Sequence, residues 1–337
     1  MNLLYVLLVL SVFCPVYTYV LYPMILMLRK RKEYTQEYTL MDYALRCGLG
    51  YKGEDVQPMV SVLIVGDNAE EKVKNIQQCA YSNFEIITGD YSCISKARGE
   101  IVLFTDTKTQ LDLMAIHNIV RPFADERIAL VVGQQTNQEG NSVLWKYENL
   151  VKRLESRIGC VSGTTKAIFA VRRVDIPEVD RKILNKPFYI ATKITENGKD
   201  VVFQDRAKAY EEKSEGTNFM KHVHDAAGYW QALKLFPKML FFHHGSFVYV
   251  SHRVIKWFVW LNMMTMLVAT GALAFSSLIM AALFSIQVVG YVAVMVFGRK
   301  EMGGTASKLI GVGYYFIMLN LAYFVGLFWK NRGEKSA

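Results

Sequence analysis

Long apolar runs lie at both ends of the chain, and a more polar stretch separates them. No charged residue occurs from Leu3 to Leu28, and the basic run Arg29–Lys32 follows directly. About 20 apolar residues are needed to cross a bilayer core of roughly 30 Å, so this run predicts a transmembrane helix. A secretory signal carries its positive charges before the apolar run, whereas here they follow it, which favours a retained anchor.

Three further apolar runs near the C-terminus, Val254–Phe275, Leu278–Phe297 and Leu309–Trp329, predict three more spans. The positive-inside rule places the basic residues after the first span on the cytoplasmic side. The sequence therefore predicts an integral protein of the cytoplasmic or inner membrane whose middle region faces the cytoplasm.

The middle region alternates between strand-length apolar runs and helical patterns. The predicted strands are Val60–Val65, Phe84–Ile87, Ile101–Phe104, Ile128–Val132, Ala167–Val171 and Val201–Phe203. The predicted helices between them are Glu70–Ala80, Ser92–Arg98, Leu113–Phe123 and Asn141–Ile158. Apolar strands that alternate with helices indicate an α/β fold, with a largely parallel sheet covered by helices on both faces.

These patterns divide the chain into consecutive segments of different character. In order, they are an N-terminal anchor with its basic flank (1–32), a linker (33–58), an α/β domain (59–218), interfacial helices (219–252), C-terminal spans (253–330) and a tail (331–337). The interfacial segment is predicted from the apolar and basic helical pattern over Phe219–Phe236, which is typical of a helix lying at a membrane surface.

The chain carries a formal net charge of +9 and has a pI near 9.1. Many basic residues flank the apolar runs, so attraction to anionic lipid headgroups explains the charge more simply than nucleic-acid binding does. The five cysteines are scattered without metal-ligand spacing, and a cytoplasmic domain would keep them reduced. We therefore expect a lipid bilayer and no nucleic acid among the partners.

Several segments, in order along the chain, resemble the membrane-bound family 2 glycosyltransferases, relatives of hyaluronan and cellulose synthases. The similar segments are VSVLIVGDN at 60–68, GEIVLFTDT at 99–107, GTTKAIFAVRR at 163–173, ITENGKDVVFQDRAKAYEE at 194–212, FMKHVHDAAGYWQAL at 219–233 and SHRVIKWF at 251–258. The resemblance implies a GT-A-like, doubly wound sheet that binds a nucleotide sugar, with Mg²⁺ or Mn²⁺ as cofactor if the protein is active.

The resemblance also shows where the expected chemistry is missing. Asp106 matches the metal-binding aspartate, but the family's Asp-x-Asp continues here to Lys108, and Asp90 is what remains of a paired-aspartate turn. The acidic pair that supplies the family's general base matches Lys186 and Pro187. An ammonium in place of a carboxylate repels a divalent cation and accepts no proton.

The family's diphosphate-binding motif on the interfacial helix matches Lys221 to Asp225, including His224. A histidine that is only partly protonated near neutral pH is a poor replacement for a guanidinium group. Considered without the family, Asp106 still lies where open α/β sheets bind ligands. It fits the cap of a turn equally well.

Three hypotheses follow. The first is a glycosyltransferase-like pseudoenzyme, inactive or weakly active, that serves as a partner of an active enzyme in cell-envelope or exopolysaccharide assembly. The second is an active nucleotide-sugar-dependent transferase with a rebuilt site, in which Asp90 and Asp106 act with Lys108 as the phosphate contact. The third is a membrane-tethered binding module.

Overall fold

The fold was obtained as a computed structural model that describes residues 2–34, 58–137, 143–211, 219–241, 243, 245–298 and 305–329. Most of the predicted linker 33–58 and the tail 331–337 lie outside these residues. The described chain forms two compact units. One unit contains residues 2–25, 219–235, 249–298 and 305–329, and the other contains 26–34, 58–137, 143–211, 236–241, 243 and 245–248.

The helices and strands alternate through the middle of the chain, as the apolar pattern predicts. The helices are α1 (Asn2–Val16), α2 (Tyr22–Leu28), α3 (Glu70–Gln77), α4 (Ala115–Val120), α5 (Val143–Ser156), α6 (Lys186–Glu196), α7 (Phe219–Leu235), α8 (Ser246–Trp257), α9 (Val259–Leu273), α10 (Leu278–Phe297) and α11 (Thr305–Leu327). The strands are β1 (Val60–Val65), β2 (Phe84–Gly89), β3 (Ile101–Asp106), β4 (Thr109–Leu111), β5 (Ile128–Asn137), β6 (Phe169–Arg172) and β7 (Asp200–Glu211).

The strands form one sheet in the order β2-β1-β3-β6-β5-β7-β4. Strand β1 runs parallel to β2 and β3, and β5 runs parallel to β7. Strand β6 is antiparallel to both β3 and β5, and β4 is antiparallel to β7. Strands β1, β2, β3, β5 and β7 therefore share one direction, and the prediction of an α/β fold with a largely parallel sheet is confirmed.

Both faces of the sheet are buried. Alternate residues of each strand point to opposite sides, so each strand contributes side chains to both faces. On β3, Ile101 and Leu103 pack with Ile76 of α3 and Ile116 of α4. The intervening Val102 and Phe104 of β3 belong to a second apolar cluster that includes residues of α6. This two-sided burial explains why the strands are continuous apolar runs rather than alternating ones.

The segment that follows α2 is tied to the α/β unit by a buried carboxylate. Lys32 Nζ lies 2.6 Å from Asp200 Oδ1, and the Tyr34 hydroxyl donates to Asp200 Oδ2 at 3.2 Å. The Lys32 backbone N–H also donates to the Arg157 carbonyl at 2.8 Å. This part of the predicted basic flank and linker is thus ordered against the domain, and Lys32 is paired within the protein.

The other unit consists of apolar helices. Among the described residues, Leu3–Leu28, Leu278–Phe297 and Ile310–Leu327 are each long and apolar enough to span a membrane, and α8 with α9 adds a fourth span if that bent pair counts as one. A π-helical turn, Tyr17–Leu21, joins α1 to α2. It lies just before Pro23, whose missing N–H interrupts regular helix hydrogen bonding.

The C-terminal run that begins at Val254 differs from its prediction as one continuous span. Helices α8 and α9 meet at an angle of 51°, and Phe258 between them has φ −98° and ψ 4°. The Trp257 side chain before this break is 1% exposed and stacks on Tyr229 at 5.3 Å between ring centroids. Burial of this ring within the unit accompanies a bend that an apolar pattern alone does not reveal.

Helix α7 packs closely against α11 in the same unit. A Cβ placed on Gly326 would lie 2.8 Å from the Ala226 Cβ. The indole Nε1 of Trp230 donates to the Tyr323 carbonyl at 2.8 Å. The small residues at this crossing allow the two backbones to approach each other.

Candidate functional site

The carboxyl ends of three neighbouring strands meet at one edge of the sheet. Val65 at the end of β1 pairs with Gly89 at the end of β2 and with Asp106 at the end of β3. Asp90 follows β2 directly, so Asp90 and Asp106 leave the sheet at the same edge. Ligands of open α/β sheets bind outside the carboxyl ends of the strands, which makes this edge the candidate site.

Asp106 is half-buried, and its buried Oδ1 atom has no hydrogen-bond partner among the residues that the structure describes. Such an atom is costly to leave unsatisfied, and it marks a position where a ligand could bind. The Oγ1 atoms of Thr164 and Thr165, in the segment that leads to β6, are buried and unpartnered in the same way.

The turn after Asp106 is held in place by its neighbours. Lys72 of α3, which is 1% exposed, donates from Nζ to the Thr109 carbonyl at 2.5 Å. Gly66 of the β1 turn has φ +131°, and a Cβ there would lie 2.9 Å from Thr107 Oγ1. Lys108 itself is exposed to solvent. Asp106 and Lys108 therefore sit on a fixed turn, and only the lysine is fully exposed.

Asp90 caps the 3₁₀ helix Tyr91–Lys96 by accepting hydrogen bonds from the backbone and side chain of Ser92. These hydrogen bonds lower the pKa of the Asp90 carboxyl, and the positive charges of Arg181 and Lys186 add to the effect. The structure therefore brings Lys186 into electrostatic reach of Asp90, although nearly one hundred residues separate them in sequence.

Tyr91 links Lys186 to the strand that carries Asp106. The Lys186 Nζ lies 5.8 Å from the centroid of the Tyr91 ring, and that ring stacks on Phe104 of β3 at 5.6 Å. Burial, followed by the negative charge of Asp106, raises the pKa of the Tyr91 hydroxyl. The Tyr91 side chain thus interacts with the Lys186 ammonium through its ring and with the charge of Asp106 through its hydroxyl.

The local sequence fixes Lys186 at the start of a helix. Asn185 caps α6, and its side chain accepts a hydrogen bond from the Phe188 backbone N–H at 3.2 Å. Lys186 is the first helical residue, and Pro187, which is buried, follows it in the first turn, where proline is well tolerated. Neither residue supplies a carboxylate at the position that the resemblance assigns to the general base.

The side chains at this edge do not fit a divalent cation. Mg²⁺ and Mn²⁺ prefer several oxygen ligands, and carboxylates are the main protein source. Among the described residues, no group of three His, Cys, Asp or Glu side chains lies close enough together to hold a metal ion. Asp106 is followed by Thr107 and an exposed lysine, so the turn offers one carboxylate.

The remaining predicted residues lie on α7 in the other unit. Lys221 is exposed and His224 is half-buried. His222, between them, packs edge-on against Tyr315 at 5.6 Å between ring centroids. The face of α7 that carries His222 is therefore used for packing within its own unit.

Sequence reasoning did not identify Tyr91 or Arg181. The sequence signal for Tyr91 is weak. Tyr91 is an aromatic residue directly after Asp90, at the point where the chain leaves the site edge of the sheet. Arg181 lies in a loop of mixed charge, and no pattern in the sequence distinguishes it from its basic neighbours.

Comparison with solved structures finds a mannosyltransferase whose fold is similar to this architecture. The mannosyltransferase PcManGT from Pyrobaculum calidifontis, solved in complex with GDP-Man and Mn²⁺, matches with a TM-score of 0.64 and 14% identity, over 96% of this chain and 99% of its own. GalNAc-T7, solved with UDP, GalNAc and Mn²⁺, matches 54% of this chain and 48% of its own with a TM-score of 0.36 and 11% identity.

No protein-family model matches the sequence, and a search of curated proteins finds no match either. At 14% identity, the likeness to the mannosyltransferase concerns the fold. The chain therefore has a mixed α/β, GT-A-like fold similar to that of the mannosyltransferase, and its described residues include three to four helices long and apolar enough to span a membrane.

Proposed function

We propose that the chain is a membrane-embedded, family 2 glycosyltransferase-like protein whose donor site is degenerate. In this proposal the α/β domain is cytoplasmic. The protein transfers sugar weakly or not at all, and it serves as a partner of an active enzyme in cell-envelope or exopolysaccharide assembly. The observation that carries the proposal is the Lys186 ammonium at the site edge, against Tyr91 and near Asp90.

Sugar transfer from a nucleotide sugar needs neutralisation of the diphosphate and a base for the acceptor hydroxyl. Lys186 and Pro187 stand where the resemblance expects the base, and neither can act as a carboxylate base. At roughly 4 Å and an effective dielectric constant of about 20, a unit charge and a divalent ion interact by about 8 kcal/mol. Exchanging a carboxylate for an ammonium changes the sign of that interaction.

The scaffold around these positions is intact. The strands that position Asp90 and Asp106 pair in continuous register, and the chain matches nearly the full length of the mannosyltransferase. Loss of catalytic groups on a preserved scaffold is what we expect if the fold is retained for binding or assembly.

Isothermal titration of the detergent-solubilised protein with UDP- and GDP-sugars, in the presence of Mn²⁺, tests the proposal. We expect no saturable binding up to millimolar donor concentration. Micromolar binding of any one donor that is lost in Asp106→Asn would overturn it, because that variant removes one charge at the site edge without changing the side-chain shape.

One observation favours a second candidate, an active transferase with a rebuilt site. Asp106 Oδ1 has no hydrogen-bond partner within the described part of the chain and is an open acceptor at the site edge, and Lys108 on the same turn is exposed to solvent. A lysine can contact phosphate directly as a point charge. Sugar incorporation by the protein in liposomes, abolished by Asp106→Asn, would establish this candidate, and absence of turnover with every donor would reject it.

A further inference from the structure

Helices α9 and α10 form an apolar hairpin. The short turn 274–277 joins them, and a Cβ on Gly271 of α9 would lie 3.0 Å from the Phe284 ring of α10. No charged residue occurs from Val259 to Gly298. The two helices run in opposite directions from the turn, so α10 ends at the end of the helical unit at which α9 begins.

The first half of α11 meets that end of α10. A Cβ on Gly313 would lie 3.2 Å from Val294 Cγ2, in the last turn of α10. Gly298, which directly follows α10, lies so close to Tyr314 that a Cβ on the glycine would meet the Tyr314 side chain. Residues 313 and 314 of α11 therefore lie at the end of the unit at which α9 begins.

The second half of α11 stays at the same end. Phe324 packs against Trp260, in the first turn of α9, at 4.9 Å between ring centroids. Phe316 packs against Tyr19 at 6.1 Å, and the Tyr19 ring in turn receives the Lys256 ammonium at 5.4 Å. Phe316 and Phe324 are about 12 Å apart along their helix, yet both lie beside the bend between α8 and α9.

The contacts of α11 with α7 place its C-terminal part at this bend a second time. The Trp230 indole donates to the Tyr323 carbonyl at 2.8 Å, and its ring packs edge-on against Phe258, the residue at the bend, at 5.0 Å between centroids. A Cβ on Gly326 would lie 2.8 Å from the Ala226 Cβ. Helix α11 thus begins and ends its contacts at one end of the helical unit.

The residues at this end are those that a membrane interface favours. Trp and Tyr are enriched where the hydrocarbon meets the headgroups, and basic residues are enriched on the cytoplasmic side. Several large aromatic side chains surround the bend, namely Tyr229, Trp230, Trp257 and Trp260. The sequence after α11 contains Lys330, Arg332 and Lys335, whereas the turn 274–277 has no charge. This charge distribution favours one side of the membrane for the sequence after α11 and the basic run Arg29–Lys32.

We propose that α11 lies in the bilayer interface beside α7 and does not cross the bilayer. Its partner is the headgroup region of one leaflet, which accommodates the amphipathic rings of Trp and Tyr. Leu3–Leu28, the bent pair α8–α9 and α10 then cross the bilayer, so Trp329 lies on the same side as Lys30. A crossing by α11 would put Trp329 on the opposite side. The inference goes beyond the proposed function and does not depend on the donor site.

Labelling of single cysteines in the full-length chain tests the side on which α11 ends. One cysteine replaces Lys30, Ser276 or Trp329, all exposed, in a chain whose native cysteines are replaced by alanine. A membrane-impermeant maleimide is added to bacterial cells that produce each variant, before and after permeabilisation. We expect Trp329→Cys to label under the same condition as Lys30→Cys. Ser276→Cys, in the turn between α9 and α10, should label from the opposite side.

Bilayer depth provides a second measurement. Spin labels at Leu321 and Phe328, two exposed positions about two turns apart, are compared in liposomes by their accessibility to oxygen and to a nickel chelate. The matched control is the pair Ile279 and Ile286 of α10, which are exposed and have the same spacing. This spacing is roughly 10 Å of helix, so the control pair should differ in depth by about 10 Å and the α11 pair by less than about 4 Å.

Either measurement can overturn the inference. It is wrong if Trp329→Cys labels under the same condition as Ser276→Cys, or if Leu321 and Phe328 differ in depth as much as the control pair. If Trp329→Cys stays unlabelled even after permeabilisation, the depth comparison decides.

Discussion

Replacement of Asp200 by Asn should release the segment after α2 from the α/β unit. The Asp200 side chain is 4% exposed and accepts from Lys32 at 2.6 Å and from Tyr34 at 3.2 Å. A hydrogen bond to a charged group contributes about 1.5–3 kcal/mol. Because the Lys32 side chain is 37% exposed and regains water when released, we take about 2 kcal/mol as the loss.

Hydrogen exchange at the Lys32 amide measures this loss directly, since that N–H donates to the Arg157 carbonyl only while the segment is docked. A loss of about 2 kcal/mol should speed exchange roughly 30-fold. Asp205→Asn is the matched control on the same strand. Its ion pair with Arg153 at 3.0 Å joins side chains that are 55% and 39% exposed, so it should change exchange less than about threefold. Equal Lys32 exchange in the wild type and Asp200→Asn would refute this reasoning.

Two other variants test packing and pH dependence. Gly326→Leu should lower the melting temperature of the full-length protein in detergent, because even a Cβ at that position would lie 2.8 Å from the Ala226 Cβ and overpacking costs about 1–3 kcal/mol. Gly311→Leu should leave the melting temperature unchanged, because a Cβ at that position would have no atom of the described residues within 4 Å. The Ser61 hydroxyl, donating at 2.6 Å, is the main cause that lowers the pKa of Glu85 to about 2. Urea unfolding measures the stability advantage of the wild type over Glu85→Gln. This advantage should be full above the ordinary glutamate pKa near 4.5 and vanish as the pH falls towards about 2. A difference in unfolding free energy that does not change with pH contradicts this.

The apolar pattern predicted the buried strands well because two-sided burial leaves a continuous signal. The predicted bounds of β1 are those observed. Strand β7 extends to Glu211, well beyond the predicted Val201–Phe203, because its second half is polar and pairs with β5 after a register shift at Gly133 and Gln134. A shift of this kind follows from tertiary pairing, so the local sequence does not predict it.

Short and bent elements were harder to predict. Strand β4 has three residues and exists through pairing with β7 and through the Asn75 side chain, which bonds both the N–H and the carbonyl of Leu111. The bend at Phe258 lies inside an uninterrupted apolar run, where composition is the same before and after it. In both cases the determining contacts come from distant parts of the chain.

The candidate site was predicted in part. The strand pattern placed Asp106 at a strand end, and the resemblance singled out Asp90 and Lys186. The contact between Lys186 and Tyr91 depends on how α6 lies against the sheet, which no local pattern encodes. The electrostatic role of Lys186 therefore depends on tertiary contacts that the sequence alone does not predict.

The most direct measurement of the central claim is equilibrium binding of GDP-mannose with Mn²⁺, the ligands of the structurally similar mannosyltransferase, to the full-length protein. Our account predicts no saturable binding up to millimolar concentration. A micromolar dissociation constant that is lost in Asp106→Asn would contradict it.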